Sequence, residues 1–472
     1  MRLKQSLPYF EDSARLFEAI ADKPWAVMLD SGPGYSRRGR YDILAADPYL
    51  TLVTRGEHTE IRGREDSSLS VQDPFELLRD VLQAQDESDA DLPFFGGAIG
   101  YFGYDLARRI ETLPALAEND EQLPEMALGI YDWAVVVDHE RRRSWLASAG
   151  RDPRTRERWF ALVELLKAAP EPGKPNAFTV SGQVASSLDY AQYADAFRRI
   201  QDYIRNGDCY QVNFAQRFRV GCSGDPWHAY RQLRDISPAP FAAYMKLPFV
   251  QVLSASPERF VRLHDGEVLT QPIKGTRPRS AEPGADWMLG QSLLQSAKDR
   301  AENVMIVDLL RNDLSKSCAL DSVRVPRLFE LQSFATVHHL VTTITGQLKD
   351  GCDAVHLLRG CFPGGSITGA PKVRVMEIIE ELEPYRRGVY CGSIAYIGFD
   401  GRMDSNIAIR TITHAQGQMH FWAGGGITVD STLDGEYQEA FDKAAAMLQL
   451  FKRKGTPQLQ AIPRVRRTNT GS

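Results

Sequence analysis

The chain has 472 residues, 43% of them apolar and 25% charged, with a formal net charge of −5. That is the composition of a globular protein with ample core, and the acidic balance argues against a nucleic-acid binder, which carries a basic surplus. No apolar stretch approaches the ~20 residues of a membrane helix, the segment from Met1 to Ser6 lacks an apolar signal region, and the six scattered cysteines form no CxxC pair and read as free thiols of a reducing cytoplasm.

Length alone allows about three domains or one large one. The first region, 1–167, holds short apolar runs at 26–29 and 133–137 that predict strands. Its glycine-rich stretch at 94–104 lacks the strand–GxGxxG–helix context of a nucleotide loop and reads as close backbone packing. Three prolines and a glycine at 170–175 predict a surface linker, set at 168–187. The region 188–454 opens on a helix at 189–205, where Tyr193, Phe197, Ile200 and Ile204 recur at helical spacing and Gly207 is the stop. Further helices are predicted at 296–314 and 436–451, and strands at 250–253, 341–345 and 407–412. The tail at 455–472, with Arg464, Arg466 and Arg467, has little to pack and is expected to be disordered. Strands come in groups rather than alternating with helices. The expected class is therefore α+β, with large mixed or antiparallel sheets packed together and helices on the outside.

Chemistry concentrates in the second region. Lys274 lies in Gln271-Pro272-Ile273-Lys274-Gly275-Thr276, at a strand end, between a proline and a glycine that fix the backbone and leave room for a ligand. A lysine so held, once partly desolvated, loses its proton near neutral pH and becomes a nucleophile; the plainer alternative is a loop lysine facing solvent. Glu258 follows an apolar run and suits a proton donor to a leaving hydroxyl, or else an ion pair with Arg259. Glu302 lies mid-helix; Glu436 and Glu439 lie one turn apart on another helix, with Lys443 four residues beyond Glu439. Either these are solvated helix pairs, or three carboxylates from two helices surround one hard cation such as Mg²⁺. Gly424-Gly425-Gly426 offers bare amides to an anion or forms a turn. Arg410 is a forked donor for a carboxylate if it faces a pocket. The run at 362–372 is a rigid loop without the Gly-Lys-Ser/Thr ending of a phosphate loop. His339, beside Leu340 and Val341, reads as a structural histidine.

Taken together, Gly207-Asp208-Cys209-Tyr210-Gln211-Val212-Asn213, Ser256-Pro257-Glu258-Arg259-Phe260, Pro272-Ile273-Lys274-Gly275-Thr276, the run 296–303, the loop 362–372 and the run 423–427 resemble the chorismate-utilising enzyme family over nearly the whole chain. Lysine at 274 is similar to the branch that forms 4-amino-4-deoxychorismate on the para-aminobenzoate route to folate, where it is a covalent nucleophile; anthranilate synthases typically carry alanine there. The resemblance implies Mg²⁺ on Glu302 and Glu439 with Glu436 nearby. It implies a substrate seat of Arg410, Tyr390, Thr276, Lys443 and the Gly425 and Gly426 amides, with Lys274, Glu258 and His339 at the chemistry. It also implies a separate glutaminase subunit, because no cysteine lies in a glutaminase elbow. Ser31 and Pro240-Phe241-Ala242 match a tryptophan site of the family, whereas Arg38-Gly39-Arg40-Tyr41 match it imperfectly. The competing expectations are an anthranilate or isochorismate synthase, or a non-catalytic regulator that binds tryptophan or chorismate.

Overall fold

Strands buried on both faces read as unbroken apolar runs, and two neighbouring strands here, Met126–Tyr131 and Trp133–Asp138, are buried at every residue. The computed structural model describes residues 2–32, 39–83, 92–168, 178–334 and 337–452. Within them the strands form two 12-stranded sheets, and every pairing between named strands is antiparallel. The first sheet runs from Leu3–Leu7 at one edge, through Ala26–Asp30, Phe241–Lys246, Gln251–Ser256, Thr411–Ala415, Gln418–Ile427 and Gln211–Ser223, to Thr179–Ser186 at the other. The second runs from Ile273–Pro278, through Val337–Gln347, Arg259–His264, Met403–Asn406, Ser393–Gly398 and Gly97–Phe102, to Ser67–Ser70.

The two sheets pack face to face. Val27, Ile43, Met245 and Val252 of the first meet Ile99, Tyr101, Ala127 and Ile394 of the second in one buried cluster. Helices close the outer faces: Pro226–Ile236 and Leu433–Leu450 pack on the first sheet, and Pro74–Leu82, Ala297–Ser315 and Ala354–Cys361 on the second. This is the α+β arrangement the grouping of strands predicted. The glycines at 97 and 100 answer to close packing: a Cβ on Gly100 would lie 2.0 Å from the carbonyl of Ala127 on the neighbouring strand. Among the described residues no helix is long and apolar enough to cross a membrane.

Both sheets take strands from either side of the predicted linker, so the regions 1–167 and 188–454 share their sheets. The linker itself is shorter than expected. Residues 169–177 lie outside the described residues, and Thr179–Ser186 is an edge strand paired with Gln211–Ser223. Its sequence is polar apart from Val180, Val184 and Ala185, which is how an edge strand facing water on most sides reads. The run at 407–412 is not one strand. Met403–Asn406 belongs to the second sheet and Thr411–Ala415 to the first, and residues 407–410 carry the chain between them. Ile407 and Ala408 are apolar because they are buried in two different core clusters along that crossing. The tail 455–472 lies outside the described residues.

Candidate active site

Lys274 is placed by a β-bulge. The pairing of Ile273–Pro278 with Val337–Gln347 changes register between Ile273 and Thr276, and Gly275 takes φ +79° at that point. Bulges re-aim one side chain out of the pleat. Lys274 is half-buried, and its Nζ donates to the carbonyl of Ser366 at 3.3 Å. Burial holds its pKa below the usual lysine range; the charges of Glu302, Glu258 and Glu439 oppose this, while Lys443 reinforces it. Glu258 shows the mirror image. It is 5% exposed, and burial raises its pKa against the opposing effects of the Ser366 hydroxyl, the Lys274 charge and the Ile273 backbone N–H. A lysine pushed toward its free amine therefore faces a carboxyl pushed toward its acid, with Ser366 touching both. Thr276 Oγ1 lies 2.9 Å from His339 Nδ1, directly across the strand pair, and the Phe334 ring packs edge-on to the imidazole. His339 is thus a buried, bonded histidine next to the lysine strand.

The three carboxylates come from two helices. Ser296 caps the helix Ala297–Ser315, its hydroxyl accepting from the Asp299 amide, and this helix presents Glu302. The helix Leu433–Leu450 presents Glu436 and Glu439. Lys298 bridges the two groups, 3.8 Å from Glu302 and 3.5 Å from Glu436, and Lys443 pairs with Glu439 at 2.8 Å. Among the described residues no three acidic, histidine or cysteine side chains converge closely enough to enclose a metal ion. The donor set nonetheless suits a hard cation. It is all oxygen, and burial raises the pKa of Glu302 and Glu436; the charge of Glu436 raises Glu302 further, and that of Glu439 raises Glu436. Moreover Glu436 Oε2 is buried with no hydrogen-bond partner. A Cβ on Gly425 would lie 2.9 Å from that oxygen and 3.3 Å from Glu439 Oε1.

The glycine run ends the strand Gln418–Ile427 rather than forming a turn. Gly425 opposes Phe214 and Gly426 opposes Asn213. On its other side the pairing with Thr411–Ala415 stops at Phe421, so among the described residues that edge of the glycine run has no strand partner. Arg410 lies at the point where the shorter strand stops, in a left-handed turn at φ +49°. Burial lowers its pKa, and among the described residues its guanidinium has no hydrogen-bond or ion-pair partner. Lys443 Nζ donates to the Gly424 carbonyl at 2.9 Å, and the buried Tyr390 ring stacks on Trp422 at 5.9 Å. Sequence reasoning assigned no role to Gln211. Its side chain is fully buried, neither amide atom has a partner, and a Cβ on Gly426 would lie 2.3 Å from its Nε2. Gln211 opens a strand whose first eight residues are all buried.

Ser31 and the 240–242 segment come together on middle strands of the first sheet, where Ala242 pairs with Asp30. The Ser31 amide and hydroxyl both donate to Asp42 at 2.7 Å. Arg40 is engaged by Asp138 and stacks over Tyr41, Gly39 abuts Ser31, and the Phe241 ring lies under Arg259. Arg38 lies outside the described residues.

This geometry, with acid and amine side by side and an unpaired guanidinium beside an open glycine edge, is that of an enzyme acting on a small anionic substrate. The chain belongs to the chorismate binding enzyme family, whose model matches residues 27–449. It is similar to aminodeoxychorismate synthase component 1 of Klebsiella aerogenes, 49% identical over 94% of this chain and 97% of that protein. The namesake of Escherichia coli is 47% identical over 95% and 98%. Anthranilate synthase component 1 of Thermus thermophilus is 36% identical over 94% and 96%. Among solved structures, anthranilate synthase component I of Streptococcus pneumoniae matches with a TM-score of 0.78 at 30% identity, covering 88% of this chain and 93% of that one. The menaquinone-specific isochorismate synthase of Escherichia coli shares the fold, with a TM-score of 0.71 at 17% identity over 96% and 94%.

Proposed function

We propose that this chain converts chorismate and ammonia to 4-amino-4-deoxychorismate. The observation that carries the reading is Lys274: an amine held by burial below its ordinary pKa, aimed by a bulge, next to a carboxyl that burial pushes toward its protonated form. In the proposed reaction the Lys274 amine bonds to the ring carbon beside the carboxylate-bearing one. The diene shifts and the ring hydroxyl leaves as water with the Glu258 proton. Ammonia adds at the vacated carbon, the shift reverses, the bond to Lys274 breaks, and the proton shed by the new amine returns to Glu258. The balance is chorismate plus ammonia to aminodeoxychorismate plus water.

Arg410, the Gly425 and Gly426 amides, Tyr390, Thr276 and Lys443 form the seat for the substrate's carboxylates, with His339 supporting Thr276. Glu302 and Glu439, with Glu436 beside them, would hold Mg²⁺, which when bound withdraws electron density from the diene through the ring carboxylate. Ammonia comes from a separate glutaminase component. In support, burial lifts the thiols of Cys209, Cys222 and Cys318 to about 11, which leaves them poor nucleophiles at neutral pH.

The test is product identification with chorismate, Mg²⁺ and ammonium, plus mass spectrometry of the intact enzyme trapped during turnover. Aminodeoxychorismate and a mass increase on Lys274 are expected. Anthranilate, isochorismate or no turnover would sink the reading; the alanine that anthranilate synthases typically carry at this position already speaks against the first. The likeness around Ser31 and Pro240 to Ala242 also supports a tryptophan seat on the middle strands of the first sheet, and calorimetry showing no heat with tryptophan would end that part.

A further inference from the structure

Beneath the 362–372 loop lies an ion pair that the proposed reaction does not use. Glu383 caps the helix Lys372–Leu382, and Arg387 follows four residues on; each side chain is 1% exposed. Arg387 donates from Nε to Glu383 Oε2 at 2.9 Å and from Nη2 to Oε1 at 2.6 Å. Its remaining bonds go to main-chain carbonyls, from Nη1 to Ile367 at 3.0 Å and from Nη2 to Asn213 at 2.6 Å. Glu383 Oε1 also accepts from the Ala215 amide at 2.9 Å, and the Asn213 amide donates to the Thr368 carbonyl at 2.8 Å. The guanidinium lies between the Tyr104 and Tyr390 rings, 4.8 and 5.8 Å from their centroids.

Stability is a weak reason to bury such a pair, because apolar residues of similar volume usually do as well or better. What only a rigid forked cation does here is bond two carbonyls on separate segments at once. One belongs to Ile367, the neighbour of Ser366, whose carbonyl takes the Lys274 bond and whose hydroxyl holds Glu258. The other belongs to Asn213, which faces Gly426 across the strand pair.

We infer that Glu383 and Arg387 are positioning residues that clamp the 362–372 loop to the strand Gln211–Ser223, so that Ser366 sets Lys274 and Glu258 at reacting distance from one another. This rests on the reaction proposed above. The test is the double variant Arg387→Met with Glu383→Leu in the full chain, assayed with chorismate, Mg²⁺ and saturating ammonium alongside thermal melting. The expected result is a folded protein with a lowered Tm, because the Ile367 and Asn213 carbonyls and the Ala215 amide lose their buried partners, a KM for chorismate nearly unchanged, and, well below the melt, a kcat lower by about 10²-fold, the scale of a small misplacement of reacting groups. Wild-type kcat in the folded variant overturns the clamp. Should the double variant not fold, Arg387→Lys keeps the charge opposite Glu383 but loses the fork. A folded Arg387→Lys protein with reduced kcat and unchanged KM supports the clamp, and one at full rate assigns the pair to stability alone. Wild-type enzyme releasing anthranilate would refute the reading of the reaction, while the variant-to-wild-type kcat ratio for that product would still decide the clamp.

Discussion

Two clusters of buried charge lie on the first sheet, and they differ in what is left over. On its middle strands Asp42 accepts from Ser13, from the Ser31 amide and hydroxyl, and pairs with His139. Asp30 next to it takes Tyr230, the Gly32 amide and Arg234. Around the glycine run Arg410 has no partner among the described residues, Glu436 Oε2 is buried and unbonded, and both atoms of the Gln211 amide are unanswered. Fully matched charge is the signature of a structural network, and buried polar groups without partners are normally rare. In the proposed reaction the bound substrate and Mg²⁺ would supply the bonds that Arg410 and Glu436 lack.

The strongest way to break this contrast is Lys274→Ala. The variant should lose more than the ~10²–10⁴-fold range of a missing acid–base group, because it removes the proposed covalent step itself. Steady-state rates with ammonium check it, and a near-normal rate would leave the amine a bystander. Arg234→Ala should do the opposite. Arg234 is 6% exposed and paired with Asp30 and Asp12, so its loss strands a buried carboxylate and should lower stability by about 3–5 kcal/mol in denaturant titrations. The kcat per folded molecule should not change. Arg410→Gln sharpens the same line from the other side. It removes a cation that lacks a protein partner, so the melting temperature should hold or rise. Meanwhile kcat/KM for chorismate should fall by roughly 1.5–3 kcal/mol, the worth of a hydrogen bond to a charged group. A large stability loss in Arg410→Gln with normal kcat/KM would erase the distinction between the two clusters.

Much of this was legible in the residues, unevenly so. The helix Tyr190–Arg205 announced itself through its apolar stripe and Gly207 at its end, because both signals are local. The glutamates on Ala297–Ser315 and Leu433–Leu450 were assigned to one site from motif likeness, and Lys298 does connect Glu302 to Glu436. That this lysine reaches across both carboxylates was not readable, since a lysine four residues before a glutamate looks the same on any solvated helix. Nor was the crossing at 407–410: an apolar run has one appearance whether it stays in a strand or passes between two sheets. Glu383 and Arg387 were hidden for a related reason. An i, i+4 pair gives no sign of burial until the loop and strand that cover it are in place.

The smallest effect tests how tightly Ser366 couples the acid to the amine. Its hydroxyl bond favours the ionised form of Glu258, against the burial that raises the pKa. Ser366→Ala removes that bond but keeps the carbonyl that receives Lys274, so the Glu258 pKa should climb further. A hydrogen bond with a net worth of ~0.5–1.5 kcal/mol, at ~1.4 kcal/mol per pH unit, moves the limb by about half to one pH unit. Since the proposed reaction needs Glu258 protonated to release water, the limb of the pH–rate profile on which it deprotonates should move upward. The sign for folding follows from the same shift. A carboxyl whose folded pKa lies above its ordinary 4.5 contributes stability at low pH that is lost as pH rises from 4.5 through the folded value. Ser366→Ala should therefore widen that window of declining stability at its upper end. A pH–rate limb that stays in place, or moves down, would mean that Ser366 does not touch the acid in solution and that Lys274 and Glu258 titrate without it.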